Sequence, residues 1–204
     1  MKPYLYPILA IVLMVSSCAT KTNSVHYCIP EVMPEDLQTI TDSSRHQFTM
    51  FCTYSHICDF CREDFPKVYT FCKTLPIDFY VLLHVRATDS LYIYDCMEDI
   101  KHIDSTFENY LILSDSLYDA EYRNVKSNGL IKHYGGHIEG NKYCNYVDKY
   151  IPQQFDHTCA TPKLILYEKN NGIVFVNQYD EQEQTFISSK DKETIKAIVT
   201  KENN

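Results

Sequence analysis

Cys58-Asp59-Phe60-Cys61 constrains this chain more than any other stretch, because it stands between an apolar run and a segment with helical spacing. The run Phe48-Thr49-Met50-Phe51-Cys52-Thr53 reads as a buried strand. Beyond the first cysteine, Cys61, Phe65, Val68, Cys72 and Leu75 recur with gaps that alternate between four and three, which lays one apolar stripe along a helix. The motif therefore falls at a strand-to-helix turn, with Cys58 near the helix N-terminus and Cys61 one turn deeper. Unpaired backbone N–H groups and the positive end of the helix dipole favour a thiolate at Cys58. The same spacing also serves as half of a zinc site, so metal ligation competes for this pair.

A second signal lies far along the chain, where Thr161-Pro162 directly precedes the apolar run Lys163-Leu164-Ile165-Leu166-Tyr167. Lys169-Asn170-Asn171-Gly172 then reads as a hairpin turn into Ile173-Val174-Phe175-Val176. A last helix carries Ile195, Ile198 and Val199 on one face. Between these parts, Ile77 to Val85 reads as a second strand, Asp95 to Asn109 as a helix with Met97, Ile100, Ile103 and Phe107 apolar, and Tyr110 to Leu113 as a short strand. Ser114-Asp115 offers an N-cap for a further helix through Tyr122 and Val125, ending near Asn128-Gly129. Residues 131 to 160 read as a loop-rich excursion.

With these elements in order, the chain resembles the thioredoxin superfamily over roughly residues 46 to 204. Pro66, five residues after Cys61, stands where many members have a proline that kinks the first helix. Thr161-Pro162 looks like the family's cis-proline loop, and an X-Pro bond is where a cis peptide costs little. The resemblance implies an α/β fold, a central mixed sheet flanked by helices, with an insertion at about 95 to 160 before the cis-proline loop. It implies Cys58 as the nucleophile and Cys61 as the resolving thiol of a redox-active disulfide, with no other cofactor and no metal. It also implies that Thr161, Pro162, Ile57, Asp59 and Phe60 contact substrate. The extra strand and helix look like the branch of exported, membrane-anchored thiol-disulfide oxidoreductases and alkyl hydroperoxide reductase relatives. Ile57 departs from the family's usual Trp, and Asp59-Phe60 from the common Gly-Pro. Asp59 adds negative charge that would raise the Cys58 pKa, while a protonated His56 would act the other way.

At the N-terminus, Lys2 precedes an apolar run from about Tyr4 to Val15 and then Ser16-Ser17-Cys18, a pattern of an export signal too short to span a membrane comfortably. Its likeness to a bacterial lipoprotein signal implies cleavage before Cys18 and lipidation of that thiol, hence a membrane-anchored protein facing the periplasm. A cleaved secretory signal without lipid is the alternative. Residues 18 to 45 read as a tether and irregular lead-in to a single domain of residues 46 to 204. The formal charge of −8 and the absence of a basic stripe exclude nucleic acid as a natural partner, and five glycines give no phosphate-cradling loop. The expected partners are exported proteins with disulfides, a membrane or periplasmic redox protein, and the membrane itself.

The chain has nine cysteines. Beyond Cys18 and the C-x-x-C, the remaining Cys28, Cys52, Cys72, Cys96, Cys144 and Cys159 admit many pairings. Cys52 and Cys72 fall on apolar positions and suit buried thiols. Cys144 and Cys159 bracket the approach to Thr161-Pro162, so a disulfide between them would clamp that loop; reduced, either would be a third redox thiol. Three other functions compete. A thiol peroxidase is suggested by Ser55, three residues before Cys58, although Phe51 occupies the position where peroxiredoxins keep a proline. Metal or haem handling would draw on Cys58, Cys61 and a histidine such as His56 or His157. A binding module with a vestigial C-x-x-C is the third. His133 and His137 have helical ligand spacing, but Gly135-Gly136 between them opposes a helix.

Overall fold

The seven residues Phe48–Tyr54 are all buried, which a strand achieves only at the centre of a sheet covered on both faces. In the computed structural model, which describes residues 28–117, 146, 149–155 and 162–201, this segment is β2. The described elements run β1 (Glu31–Val32), α1 (Pro34–Ser43), β2, α2 (Asp59–Cys72), β3 (Ile77–Leu83), α3 (Ser90–Lys101), β4 (Tyr110–Leu113), β5 (Leu164–Glu168), β6 (Gly172–Val176) and α4 (Ser189–Thr200). The strands form one six-stranded sheet in the order β1-β4-β3-β2-β5-β6. The first four in that order are parallel neighbours, whereas β5 joins β2, and β6 joins β5, antiparallel. This is the α/β architecture expected of a thioredoxin-like fold, a central mixed sheet flanked by helices.

Alternation along the strands divides the core in two. Met50, Cys52 and Tyr54 of β2 point with Val81, Leu166 and Phe175 toward one face, where Phe65 and Val68 of α2, Ile93 and Met97 of α3, and Ile195 and Val199 of α4 pack. Phe51, Leu82, Leu111, Ile165 and Val176 face the other side, covered by Leu37 of α1 together with Tyr146 and Ile151. The apolar stripe of α2 lands as the periodicity requires, and the helix runs on through Pro66. Asp104 accepts from the Tyr69 hydroxyl at 2.6 Å and from Lys73 Nζ at 3.1 Å, fixing the end of α2 remote from Cys58 and Cys61.

Two expectations need correction. Residues 31 to 43, expected within an irregular lead-in, form β1 and α1: Ile112 N–H donates to the Pro30 carbonyl at 2.9 Å and Ser114 N–H to that of Val32 at 2.8 Å. Pro34 opens α1 with its fixed φ, and Asp36 accepts the Met33 N–H at 2.8 Å. The helix expected at Asp95 to Asn109 begins and ends earlier. Asp89 caps it by accepting the Tyr92 N–H at 3.2 Å, and its apolar stripe is Ile93, Cys96, Met97 and Ile100. Asp104 then turns the chain out by accepting from Thr106 N–H at 2.9 Å, which leaves Ile103 exposed. After β4 the chain makes a 3₁₀ turn at Asp115–Leu117, where a longer helix was anticipated. The rest of the span expected to form that helix, the 131 to 160 excursion apart from 146 and 149–155, the export signal with Cys18, and His133, His137, His157, Cys144, Cys159 and Thr161 lie outside the described residues.

Among the described cysteines, Cys52, Cys61 and Cys72 are buried thiols. Burial pushes Cys72 from an ordinary 9.0 up to about 12 and raises Cys52 and Cys61 as well. Each therefore binds its proton more tightly folded than unfolded. Their contribution is fully present below the ordinary thiol pKa and is lost as pH rises through the folded values. Tyr167, pushed by burial from 10.0 to about 12, adds the same sign. The melting temperature of the reduced protein should hold up to about pH 9 and fall steeply beyond it. A melting temperature unchanged to about pH 11 would contradict the buried-thiol assignment.

Candidate functional site

The chain leaves β2 at Tyr54 and turns into α2 through Ser55-His56-Ile57-Cys58. The Cys58 N–H donates to the Ser55 carbonyl at 3.1 Å, closing the turn. Cys58 becomes the N-cap of α2, its sulfur accepting the Cys61 backbone N–H at 3.3 Å. A cap position normally belongs to Ser, Thr, Asp or Asn, because a negative or lone-pair-bearing atom there satisfies an otherwise orphaned donor. A thiolate is such an atom, and this contact lowers the cost of ionising Cys58.

Cys61 is in the opposite environment. It is fully buried. Its pKa lies well above the ordinary value, chiefly through burial and then through the Cys58 sulfur beside it, with a backbone hydrogen bond from Ser55 acting the other way. The pair thus holds one half-buried sulfur at a helix N-terminus and one protonated thiol beneath it. Asp59, whose charge was expected to raise the Cys58 pKa, is ion-paired to Arg62 on the solvent side of the first turn.

The antiparallel register of β2 and β5 brings the second signal to the same place. Cys52 lies opposite Leu164, and the next pair is locked both ways: Thr53 N–H donates to the Lys163 carbonyl at 2.9 Å and Lys163 N–H to Thr53 Oγ1 at 2.7 Å. Continuing the register sets Pro162 opposite Tyr54, four residues before Cys58. Pro162 and Lys163 are both buried, and Asn177, just past β6, holds this corner by accepting the Leu164 N–H at 2.6 Å through Oδ1. Its amide also donates to the Phe186 carbonyl at 2.5 Å.

Sequence reasoning missed the loop that follows. Residues 180 to 188 fold back on α2, and Asp64 is the anchor. A carboxylate in the second turn of a helix is ordinarily solvent-exposed, but Asp64 is 2% exposed. It accepts the Phe186 N–H at 2.8 Å and the Thr185 hydroxyl at 3.1 Å while Lys67 Nζ sits 2.6 Å away on its outer oxygen. The loop brings Phe186 and Tyr179 against Phe60, with ring centroids 5.6 and 5.7 Å from it. Ile57 and Phe60, which flank Cys58 in the sequence, and Tyr179, which packs on Phe60, remain exposed large apolar side chains. A Phe60→Ala substitution removes the outermost ring of this platform and should weaken capture of a protein disulfide several-fold while leaving reaction with a small aliphatic disulfide unchanged. Equal losses toward both would assign Phe60 to packing only.

Among the described residues no cluster of three or more His, Cys, Asp or Glu side chains is arranged to hold a metal ion. No family model matches the sequence, and no curated protein matches it. The fold is similar to the thioredoxin domain of a thiol-disulfide oxidoreductase from Bacteroides vulgatus, at 16% identity and a TM-score of 0.41, over 76% of this chain and 81% of that one. It is similar as well to a hypothetical protein from Sinorhizobium meliloti, at 17% identity and a TM-score of 0.39, over 89% of this chain and 82% of that one.

Proposed function

We propose that this protein is a thiol-disulfide oxidoreductase that reduces disulfides of exported proteins through Cys58 and Cys61. The observation that carries the reading is the division of labour between the two sulfurs, one capping α2 and the other buried and protonated beneath it. The Cys58 thiolate attacks a substrate disulfide, forming a mixed disulfide and releasing one substrate thiolate. Cys61 then loses its proton, and its sulfur attacks Cys58, releasing the second substrate thiol and leaving the Cys58–Cys61 disulfide. Two electrons pass from the dithiol to the substrate.

Timing follows from the electrostatics. The Cys58 sulfur is one of the causes that keep the Cys61 pKa high. Once Cys58 is tied up in the mixed disulfide its negative charge is gone, so Cys61 deprotonates more readily at the moment it is needed. In this reading the Pro162 corner and the Ile57, Phe60 and Tyr179 surface receive the substrate chain, and the thiol on Cys18 carries the lipid that keeps the domain at the membrane. Among the described residues no helix is long and apolar enough to cross a membrane.

The test is reduction of a disulfide-containing exported protein by the reduced full chain in single turnover. One substrate disulfide should be lost for each Cys58–Cys61 disulfide formed. Formation of that disulfide with hydrogen peroxide but never with a protein disulfide would replace this reading with a peroxidase. Cys18→Ser should release the protein from membranes without altering the turnover.

A further inference from the structure

Tyr179 to Phe186 fold as a small hairpin whose stem is aromatic and whose tip is acidic. Asp180 and Thr185 pair across it, each N–H donating to the other's carbonyl, at 2.9 and 3.3 Å. Asp180 Oδ1 accepts the N–H groups of Gln182 and Glu183, both at 2.9 Å, and Gln184 closes the tip at a positive φ. Glu183 accepts the Ser189 N–H at 3.0 Å, which ties the tip to the start of α4. Asp64 holds the stem to α2 at Thr185 and Phe186. Bonded at both ends, the hairpin presents one fixed surface.

At the stem the Tyr179 and Phe186 rings meet with centroids 4.8 Å apart, and both pack on Phe60. Phe186 is buried as the base of the trio, whereas Phe60 is 47% and Tyr179 36% exposed, so two rings are fixed by their neighbours and still open to solvent. Grouped open apolar side chains of this kind mark a contact surface. Phe60 stands two residues after Cys58, at most about 7 Å along the backbone. The Tyr179 ring lies 5.7 Å from that of Phe60. An extended chain joined to Cys58 therefore reaches both rings within about four of its own residues.

The tip decides which chain that is. Residues 181 to 184 are exposed, and Asp180, Glu181 and Glu183 set three carboxylates there. No Lys or Arg occurs from Asn177 to Ser189; Lys190 and Lys192 follow in the first turn of α4, with Asp191 between them. On α2 the cations are engaged by its own acids, Arg62 with Asp59 and Lys67 with Asp64, while Glu63 adds an exposed carboxylate. Before Cys58, Asp99 Oδ2 is engaged likewise, by the Tyr54 hydroxyl at 2.9 Å and by His56 Nδ1 at 2.7 Å. A negative rim around open aromatic faces attracts a cation twice, through the carboxylates and through the rings.

We propose that the 179 to 186 hairpin and Phe60 form a specificity surface that selects disulfides whose cysteine has an apolar residue and a Lys or Arg within about four positions. This rests on the oxidoreductase reading above and names its preferred substrate class. The apolar residue packs on Phe60 and Tyr179. The cation lies toward Glu181, whose carboxylate no side chain engages among the described residues. Opposite charge at that place speeds encounter, and like charge slows it.

The experiment is single-turnover reduction, by the reduced full chain in detergent, of synthetic peptides. Each carries one cysteine in a mixed disulfide with a small aliphatic thiol, a Leu beside it, and Lys, Gln or Glu at the third residue after it. At about 20 mM salt the Lys peptide should react about tenfold faster than the Glu peptide, with Gln between, and the ratio should fall to within about twofold at about 0.5 M salt. Ratios between peptides on one protein cancel any change in the reactivity of Cys58 or in the folded fraction. Glu181→Gln should lower the Lys-to-Glu ratio about threefold, and Glu181→Lys should bring it to about one. Replacing the Leu by Ser should slow the Lys peptide several-fold. Equal rates for the three peptides at low salt, or a ratio that Glu181→Lys leaves unmoved, overturns the assignment. Peptide binding, read from NMR shifts of the Glu181 and Phe186 amides, separates the two readings. Charge-ordered binding without reduction of any disulfide keeps the surface and overturns the oxidoreductase reading alone. Reduction without charge order overturns the surface alone.

Discussion

Cys61→Ala is expected to accumulate covalent complexes with disulfide-bearing exported proteins, and Cys58→Ala to accumulate none. The asymmetry comes from the positions of the two sulfurs. Cys58 is the half-buried helix cap that a substrate can reach, whereas Cys61 is fully buried and holds its proton. With Cys61 absent, the mixed disulfide on Cys58 has no internal thiol to resolve it, so it persists until an external thiol intervenes. With Cys58 absent, the first bond never forms. Net disulfide reduction should fall on the order of a thousandfold or more in Cys58→Ala, the scale expected when a nucleophile is removed. Non-reducing gels of membranes expressing each variant make the comparison. Equal trapping by both would remove the assignment of roles.

The second large effect is on stability. Asp64→Ala takes the acceptor from the buried Phe186 N–H and Thr185 hydroxyl, both on a loop more than a hundred residues away in sequence. Leaving two buried donors without a partner costs about 3 kcal/mol. For a chain of this length that is roughly a 10 °C fall in melting temperature. Asp64→Asn keeps an acceptor oxygen at the same place and should cost about 1 kcal/mol. The loss of the Lys67 pair adds little, because its ammonium is 55% exposed. Detaching the 180 to 188 loop also withdraws Phe186 and Tyr179 from Phe60, so Asp64→Ala should weaken protein-disulfide capture beyond its effect on folding. Thermal melts that place Asp64→Ala within about 1 °C of wild type would show that the loop is held by other contacts.

What could be read from the sequence was what repeats locally. The buried run at Phe48, the α2 stripe and the β5–β6 hairpin each follow from periodicity or turn chemistry, and the hairpin closes as Lys169 to Gly172 predict, with Asn170 and Gly172 at positive φ. The C-x-x-C at a strand-to-helix turn was legible for the same reason. The role of Asp64 was not legible because nothing within α2 distinguishes it from Glu63; only the returning loop buries one and leaves the other exposed. His56 was visible beside the motif, but its partner Asp99 belongs to a helix more than forty residues later, and no local pattern joins them. The Phe60, Tyr179 and Phe186 platform was hidden likewise, since its rings come from α2 and from either end of a loop. α3 was displaced because Ile103 and Phe107 extend its apolar spacing past Asp104, whose own capping of the following turn ends the helix.

The central claim is that Cys58 and Cys61 form one reversible dithiol–disulfide couple. Its most direct test is the equilibrium redox potential of that pair in the full chain, read by alkylation and mass spectrometry across thiol buffers that leave other disulfides intact. The reductase proposed here predicts a value near the roughly −270 mV of thioredoxin. A value near the roughly −120 mV of DsbA would make the protein an oxidant of exported thiols. A pair that fails to cycle at any poise would contradict the account outright.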